Sequence, residues 1–272
     1  MNDTISDSAD NGTNYLANRY YEHSSFNKGT NEILGKLKVE KPEMYNKLTN
    51  TFEFTSNWVI PKSYDQSNIV KLIGYLNSLF VDNKFPISFK TDVKIVELED
   101  TKLVNMAPEN EKVNTGFYDN WGVKSNTTMN VYMVTAPQTL AGWATMPGDN
   151  TTWDGMFLNK NISGMNEQIG PVIAHEFGHN LGLLHTFDGG CSGDGDWVKD
   201  TPPANDTIRH SGFADTWECN SSQNSCGITG QRDLIDNIMD YTNCAKTFTE
   251  EQVYRMMNFV YYRAVGQLPN MK

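Results

Sequence analysis

Three of the protein's five histidines lie within one segment of eleven residues, which reads His-Glu-Phe-Gly-His-Asn-Leu-Gly-Leu-Leu-His. On an α-helix, His175 and His179 stand one turn apart on the same face, so both imidazoles can reach one ion. Gly182 can adopt a positive φ, which predicts that the helix ends there and that the chain then brings His185 to the same ion. Three neutral imidazoles leave one position of a tetrahedral zinc ion open, and such a site is catalytic rather than structural.

Glu176 follows the first of these histidines, so it lies beside the metal but is better placed to handle a water molecule than to bind the ion. Zinc lowers the pKa of a water molecule that it binds towards ~7. We expect Glu176 to accept a proton from this water as it attacks a scissile carbonyl group, and to pass the proton to the leaving amine. The segment therefore predicts a zinc hydrolase whose water is activated by Glu176. A zinc peptidase with a downstream glutamate as third ligand is the nearest alternative, and the position of His185 argues against it.

The elements that must position this segment can be read from the spacing of apolar residues. Residues 171–181 are predicted to form the metal-binding helix, with Pro171 at its first position, where the missing N–H costs nothing. Residues 65–81 carry apolar side chains at helical spacing, which predicts an amphipathic helix that backs a sheet. Apolar stretches predict five strands, at residues 51–60, 87–98, 129–135, 140–145 and 155–158. The order of these elements predicts an α/β (α+β) fold.

The two ends of the chain differ from its centre in composition and in apolar periodicity. The first 50 residues contain only short, weakly periodic apolar pieces, and are predicted to be a flexible N-terminal segment or the remnant of a pro-segment. After His185 the chain is rich in Gly, Asp, Ser and Asn, and is too irregular to build a core without covalent staples. It closes with a helix predicted from Thr249, where Thr249 and Gln252 form a capping box.

The composition limits the partners. With a formal net charge of −11 and a pI near 4.9, the chain lacks the basic surface that nucleic-acid binding requires. No apolar run approaches the ~20 residues of a membrane-spanning helix. The chain opens without the apolar stretch of a signal peptide, so we expect a mature or trimmed form of the protein.

All four cysteines fall in the last third of the chain, at Cys191, Cys219, Cys226 and Cys244. None is spaced as Cys-x-x-Cys, which favours two disulfides over a second zinc site. Disulfides persist in oxidising compartments, so the protein is predicted to be secreted and extracellular. Four cysteines permit three pairings, and the sequence alone does not choose between them.

The histidine segment is similar to the extended zinc signature of the metzincins. Residues 237–241, which read Asn-Ile-Met-Asp-Tyr, resemble the Met-turn of that clan, which places a methionine beneath the metal. Further stretches resemble the pappalysin family, in its ulilysin-like branch, and the likeness runs from about residue 51 to residue 267. These are His-Thr-Phe at 185–187, Asp-Thr-Pro at 200–202, Ala-Gly-Trp-Ala-Thr at 141–145 and Asp-Gly at 154–155.

This resemblance implies a zinc endopeptidase with a metzincin-type catalytic domain. A twisted, mostly parallel sheet, its backing helix and the active-site helix would lie above a cleft, within an upper subdomain of residues 51–182. Residues 183–272 would form an irregular, disulfide-stapled lower subdomain with the C-terminal helix. An edge strand would bind an extended protein or peptide substrate by adding it as another strand. Its residues are Leu140, Ala141, Gly142, Trp143 and Ala144. We expect the enzyme to be a monomer.

The resemblance also assigns roles around the metal. Tyr241 matches the position whose hydroxyl group assists the oxyanion, and Met239 would form a hydrophobic floor below the zinc ion without binding it. A structural calcium ion is implied in the loop of residues 193–201, for which a solvated acidic loop is the alternative. Its ligands would be the side chains of Asp196 and Thr201 and the carbonyl groups of Asp194 and Val198. The implied disulfides are Cys191–Cys226 and Cys219–Cys244.

The sequence departs from the family pattern after the Met-turn. Ulilysin-like enzymes that cleave beside basic residues carry an aspartate between the Met-turn and the last cysteine, whereas residues 242 and 243 are Thr and Asn here. A neutral or apolar S1′ pocket is therefore at least as well supported as a preference for Arg or Lys. The alternative function is a catalytically silent binding module with the metzincin fold. Its usual signature, the loss of Glu176 or of one metal-binding histidine, is not found in this sequence.

Overall fold

The computed structural model describes residues 52–83, 85–104, 106–147, 154–161, 165–192, 195–205, 219 and 221–264, together with Val39 and Pro42. Apart from those two positions, the predicted flexible or pro-segment at residues 1–50 lies outside the described residues, and so does Asp194. None of the helices in the described part of the chain combines the length and the apolar character that a membrane crossing requires.

The described residues form a six-stranded sheet at the centre of the fold. Its strands are β1 (Phe52–Pro61), β2 (Ile87–Phe89), β3 (Lys94–Leu98), β4 (Thr128–Val134), β5 (Gly142–Ala144) and β6 (Met156–Asn159). The strand order is β2-β1-β4-β6-β5, and β3 also pairs with β1. All neighbours run parallel except β5, which is antiparallel to β6 at the end of this order. The predicted α/β fold with a mostly parallel sheet is confirmed, and the predicted edge strand lies at an edge.

The strand predicted at residues 87–98 is divided into β2 and β3. From Phe54 to Asn57, β1 advances by three residues, while its partner advances by five, from Phe89 to Lys94. The two extra residues cannot pair with β1 and form a bulge between the two short strands. An alternating apolar pattern does not reveal such a bulge, because both halves of the strand keep their own alternation.

The described residues include four α-helices: α1 (Ser67–Asp82), α2 (Glu111–Trp121), α3 (Met165–Asn180) and α4 (Glu250–Ala264). The predicted helix at 65–81 corresponds to α1, whose apolar face packs into the main core. A second core lies on the other face of the sheet, where Phe117 of α2 contacts the rings of Tyr132 and Phe157. The apolar pattern did not predict α2, because this helix is short and carries mostly polar residues.

The metal-binding helix α3 begins at Met165, six residues before the predicted start. The prediction that Pro171 occupies its first position is therefore wrong, since Pro171 lies inside the helix. An interior proline removes one backbone hydrogen bond, which a packed helix can tolerate. Packing here is close, because a Cβ atom on Gly170 would lie 2.9 Å from the ring of Tyr75 on α1.

The C-terminal helix α4 begins with the predicted capping box. The backbone N–H of Thr249 donates to Gln252 Oε1 at 2.9 Å, and that of Gln252 donates to Thr249 Oγ1 at 3.2 Å. Met256, Met257 and Val260 of this helix are buried in the same core as the sheet and α3. This shared core fixes α4 against the metal-binding helix.

Candidate metal centre

The three histidines of the predicted zinc site meet at one point. His175 and His179 lie on α3, and His185 follows the turn after the helix. The Nε2 atom of His179 is 3.0 Å from that of His175 and 3.1 Å from that of His185. All three side chains are buried, and they form a group of the size that could hold one metal ion.

The turn that returns His185 to the helix depends on Gly182, whose φ is +85°. A Cβ atom at this position would also lie 2.1 Å from the ring of Phe259 on α4. The N–H of Gly182 donates to the carbonyl of His179 at 2.8 Å, and that of Leu183 donates to the carbonyl of Gly178 at 2.9 Å. These bonds end the helix in the way that the glycine predicted.

The outer nitrogen of each imidazole faces a hydrogen-bond acceptor. Nδ1 of His175 lies 2.7 Å from the carbonyl oxygen of Ile238, and Nδ1 of His179 lies 2.7 Å from that of Leu183. Nδ1 of His185 lies 3.4 Å from a carboxylate oxygen of Asp188. Because these oxygens can only accept, each Nδ1 carries the proton in a neutral ring, and each Nε2 presents a lone pair.

The Nε2 atoms of His175 and His185 each lie about 3 Å from that of His179, and nitrogen lone pairs this close repel unless a cation lies between them. Three imidazole nitrogens are the ligand set of catalytic zinc sites, so the residues present fit that ion. Carbonyl and carboxylate partners on the outer nitrogens fix the orientation of the rings, as in other histidine metal sites. Burial alone would raise the pKa of Asp188, but the hydrogen bonds from the side chain and the backbone N–H of His185 oppose this effect, and the pKa is lowered.

The side chain of Glu176 extends from the metal-binding helix towards the edge strand. This side chain is buried, and a Cβ atom on Gly142 of β5 would lie 2.8 Å from Glu176 Oε1. The same Cβ atom would lie 2.8 Å from the carbonyl oxygen of Phe157 on β6. A glycine at position 142 therefore lets the edge strand pass directly against the carboxylate beside the metal.

Among the described residues, the backbone of the edge strand pairs on one side only, with β6. Ala141 accepts a hydrogen bond from the N–H of Asn159 at 2.8 Å, and Thr145 donates to the carbonyl of Gly155 at 3.1 Å. In an antiparallel ladder, every second residue pairs in this way, and the residues that alternate with them point their N–H and C=O groups away from the partner strand. Gly142 and Ala144 therefore turn their backbone groups away from β6. Leu140 and Trp143 are buried, and the Trp143 ring stacks on Phe157, so these side chains belong to the core.

Met239 lies below the metal-binding helix and is fully buried. Its sulfur would be 2.5 Å from a Cβ atom on Gly178, so this glycine lets the methionine approach the helix. The turn is held by Asn237, which accepts a hydrogen bond from the N–H of Met239 at 2.9 Å. Asn237 also exchanges two amide hydrogen bonds with Gln252 of α4, at 2.7 and 3.1 Å.

Tyr241 approaches the metal-binding atoms from the Met-turn. Its hydroxyl oxygen lies 3.1 Å from Nε2 of His185, and its ring is buried against His185 and Phe187. The hydroxyl group is thus directed to the same point as the three imidazoles. A group at this point could donate a hydrogen bond to an oxygen that reacts there.

The loop of residues 195–201 forms a second group of oxygen atoms. Oδ1 of Asp196 accepts hydrogen bonds from Oγ1 of Thr201 at 2.6 Å and from the N–H of Val198 at 3.1 Å. The carbonyl oxygen of Val198 lies 2.7 Å from the same hydroxyl oxygen. Oδ2 of Asp196 is buried and has no hydrogen-bond partner among the described residues. Burial raises the pKa of Asp196 to about 7 against these hydrogen bonds. Of the four calcium ligands that the family resemblance implied, three therefore meet, and Asp194 lies outside the described residues.

The lower part of the chain contains the disulfides Cys191–Cys226 and Cys219–Cys244. This is the pairing that the family resemblance implied. Cys191 lies six residues after His185, so the first disulfide ties the chain that follows the candidate metal centre to a segment that precedes the Met-turn in the chain.

Several residues that support the metal centre were not found from the sequence. Asp188 holds the outer nitrogen of His185, and its position three residues beyond that histidine was the available signal. Arg255 on α4 donates from Nε to the carbonyl oxygen of Gly182 at 2.6 Å, and its guanidinium group lies near the rings of Trp197 and Phe259. No spacing rule links Arg255 to the histidine segment, because the two are more than 70 residues apart in the chain.

Comparison with known proteins places this site in a family. The family model of peptidase family M43, described as pregnancy-associated plasma protein-A, matches residues 97–261. Extracellular metalloprotease 1 of Coccidioides posadasii is 44% identical over 96 residues, which cover 35% of this chain and 32% of that protein. An extracellular metalloprotease of Colletotrichum graminicola is 33% identical over 153 residues, covering 51% of this chain and 52% of the relative. The matches therefore span from about a third to about half of the length of these relatives.

A solved structure has the same fold. Mature mirolysin of Tannerella forsythia, in complex with a cleaved peptide, superposes with a TM-score of 0.61 at 20% identity. The likeness covers 81% of this chain and 99% of the mirolysin chain. The family model spans more than half of the 272 residues, including all three histidines, Glu176 and the Met-turn. The chain therefore belongs to the pappalysin family of the metzincins.

Proposed function

We propose that this protein is a secreted, zinc-dependent endopeptidase that hydrolyses peptide bonds in proteins with a water molecule activated by Glu176. The observation that carries the proposal is the convergence of three imidazoles and one phenol at one point, with the carboxylate of Glu176 against the edge strand β5. The relatives are named extracellular metalloproteases, which supports both the activity and the location.

His175, His179 and His185 would hold the zinc ion. When bound, zinc supplies a Lewis acid that polarises the scissile carbonyl group and acidifies a water molecule. Met239 gives the site an apolar floor, which excludes solvent from below and strengthens electrostatic interactions in the site.

Glu176 and Tyr241 would supply the proton transfers and the charge stabilisation. Glu176 takes up the proton of the attacking water on a carboxylate oxygen and returns it to the amine that leaves. Its place against Gly142 puts this carboxylate beside any peptide bound along β5. Tyr241 donates its hydroxyl hydrogen to the carbonyl oxygen as negative charge develops there. Its ring packing against His185 and Phe187 holds the hydroxyl group in place without substrate.

The substrate would be an extended stretch of polypeptide that pairs with the open side of β5. The backbone groups of Gly142 and Ala144 offer one acceptor and one donor each, so binding along this edge does not depend on the substrate's side chains. Side-chain preference would come from the pocket near the Met-turn. Residues 242 and 243 provide no carboxylate there, so we propose a neutral or apolar S1′ preference rather than a basic one.

We also propose that a structural calcium ion binds the loop that contains Asp196, Val198 and Thr201, with Asp194 as a further ligand. The buried Oδ2 atom of Asp196 supports a cation at this place, because a buried carboxylate oxygen without a partner is costly. The oxygen atoms of a carboxylate, a hydroxyl group and a carbonyl group are ligands that calcium prefers. The ion would stabilise the irregular segment that follows His185.

The proposed function is tested by digestion of denatured casein and a peptide library with the wild type and the Glu176→Ala variant. Wild type should cleave, a zinc chelator should stop cleavage, and added zinc should restore it. Glu176→Ala should lower kcat/KM by about 10²–10⁴-fold while it retains the metal. Glu53→Ala, which removes an exposed glutamate of β1, serves as the control and should match the wild type.

Full activity in Glu176→Ala would remove Glu176 from the mechanism. A zinc-loaded wild type that cleaves no protein or peptide would overturn the proposed function and favour the silent binding module. The residues found after each cleaved bond report the S1′ preference, and a dominant Arg or Lys there would contradict the neutral pocket.

A further inference from the structure

A buried ion pair lies at the end of the edge strand. Nη2 of Arg263 lies 2.6 Å from Oδ2 of Asp154, and Nη1 lies 3.1 Å from Oδ1. Both side chains are buried. The arginine therefore holds both oxygens of the carboxylate, which is the most directional form of such a pair.

Two further side chains complete this group, which we call the Asp154 clamp (Thr145, Asp154, Asn180 and Arg263). Nδ2 of Asn180 donates to Oδ1 of Asp154 at 3.1 Å and to Oγ1 of Thr145 at 2.9 Å. Nη1 of Arg263 lies 3.4 Å from Oδ1 of Asn180. The Thr145 hydroxyl also accepts from the N–H of Gly155 at 3.2 Å. All four side chains are buried.

The clamp joins the ends of four elements, and two of them, β5 and α3, carry the substrate edge and the candidate metal ligands. Thr145 follows the last residue of β5, and Asp154 precedes β6 by two residues. Asn180 is the last residue of α3, immediately after the metal ligand His179. Arg263 belongs to the last turn of α4. The clamp thus ties the end of the substrate strand directly to the end of the helix that carries the metal ligands.

The other end of the edge strand is held differently. There Asn159 of β6 donates from Nδ2 to the carbonyl of Leu140 at 2.8 Å, and its N–H donates to the carbonyl of Ala141 at 2.8 Å. These bonds fix β5 to β6 but not to α3. The clamp therefore supplies hydrogen bonds between the end of β5 and α3, and Gly142 also lies close to Glu176.

The chemistry of the clamp favours a geometric role. A buried ion pair adds little net stability compared with apolar side chains of the same volume, because the loss of hydration offsets the attraction between the charges. Its hydrogen bonds are directional, however, and here they connect groups from distant parts of the chain. A reaction in which a carbonyl group must meet both a carboxylate and a metal is sensitive to displacements of about 1 Å.

We propose that Asp154 and Arg263 are positioning residues that fix the position of β5 relative to α3. This inference rests on the endopeptidase function proposed above. A peptide that pairs with β5 inherits the position of the strand, so the clamp sets where its scissile carbonyl lies relative to Glu176. The benefit of the clamp should grow with the number of peptide residues that pair with the strand. A short substrate that is held mainly at the metal should gain little from it.

The test compares nested peptides around one cleavage site mapped in denatured casein, extended by zero to four residues on each side in turn. In the wild type, kcat/KM should rise with length. In Asp154→Asn, the longest peptide should lose about tenfold to a hundredfold in kcat/KM, and the shortest less than about threefold. Asn180→Ala, which cuts only the link to α3, should lose in the same direction. Asp119→Asn, which removes a carboxylate from an exposed ion pair with Lys124, should follow the wild type.

A purely structural role predicts a different pattern, in which all peptide lengths lose activity equally. Asp154→Asn leaves Arg263 without its carboxylate and can lower stability, so the double variant Asp154→Asn with Arg263→Gln replaces the pair by two neutral amides. If the double variant folds but still lacks the gain with length, the positioning role is supported. The positioning role is overturned if kcat/KM falls equally for all peptide lengths in both the double variant and Asn180→Ala. It is also overturned if kcat/KM falls in neither variant.

Binding measurements separate this inference from the proposed function. In a zinc-loaded Glu176→Ala background, the affinities of the longest and shortest peptides are measured by fluorescence anisotropy, with zinc content determined in parallel. The clamp variants should weaken the longest peptide by about tenfold with zinc content unchanged. If the wild type cleaves nothing, the proposed function fails and no cleavage site can be mapped; affinities for nested fragments of a casein peptide that binds the zinc-loaded protein then decide whether the clamp positions the strand. Unchanged affinities for all lengths would overturn the inference even in an active protease.

Discussion

The contact between His185 and Asp188 leads to the prediction that can be developed furthest from the structure. Asp188→Asn keeps the shape of the side chain but removes its charge. In the wild type, the Asp188 carboxylate contacts His185 twice: one oxygen lies 3.4 Å from Nδ1, and the other accepts from the backbone N–H at 3.0 Å. An asparagine can still accept one of these bonds through its single carbonyl oxygen. The variant therefore orients the imidazole less firmly and no longer increases its basicity.

The size of the effect follows from the geometry. Loss of a partner to a metal-binding histidine lowers metal affinity by about 10–100-fold. The contact from Nδ1 of His185 is longer than the 2.7 Å contacts made by His175 and His179. We therefore expect a change at the lower end, about tenfold in the zinc dissociation constant, or about 1.4 kcal/mol.

The assay is a competition for zinc between the protein and a chelator of known affinity, followed by direct metal analysis. Asp200→Asn is the control, because Asp200 is exposed and caps α4 through the N–H of Glu251 at 3.0 Å. It reports whether destabilisation of the lower part of the chain is enough to weaken zinc binding. An unchanged zinc affinity in Asp188→Asn, or an equal loss in Asp200→Asn, would refute the role given to Asp188.

Three further predictions address other parts of the site. Tyr241→Phe should lower kcat by about 10²-fold with zinc content unchanged, since one hydrogen-bond donor to the oxyanion is lost; a normal kcat would assign the tyrosine to packing alone. Gly142→Ala places a Cβ atom 2.8 Å from Glu176 Oε1, so we expect a loss of about 1–3 kcal/mol in the free energy of unfolding together with a lower kcat. Unchanged kinetics in this variant would show that the approach of β5 to the carboxylate is not required. Burial raises the pKa of Asp196 to about 7 in the folded protein without calcium, whereas the unfolded chain ionises this group near pH 4. The free energy of unfolding should therefore fall by about 1.4 kcal/mol per pH unit from about pH 4 to about pH 7. Calcium should restore the lost stability. The assay is thermal unfolding of the wild type and of Asp196→Asn across this pH range, with and without calcium. A wild type whose stability does not respond to calcium would contradict the site.

The metal centre could be predicted from the sequence because its spacing is local. A helix places residues four apart on one face whatever surrounds it, so His175 and His179 were bound to meet. The turn at Gly182 is also local, since only a residue without a side chain easily adopts the required φ. The strands and the helix α1 followed from apolar periodicity for the same reason. The capping box at Thr249 involves residues only three positions apart.

Other features depended on which segments meet in the folded chain. The start of α3 at Met165 is a case in point, because local preference placed Pro171 first, whereas packing of Gly170 against Tyr75 supports a helix that continues through it. The bulge between β2 and β3 depends on the register with β1, which no single strand encodes.

What the sequence determined by itself was the set of candidate metal ligands, the carboxylate beside them and the elements that carry them, because these depend on distances of a few residues along one helix and one turn. The tertiary structure alone decided which side chains support that set. Asp154, Asn180 and Arg263 are far apart in the chain and meet only because the sheet, α3 and α4 share one core. Contacts between distant segments are set by packing over the whole fold, and the spacing of residues in one segment carries no record of them.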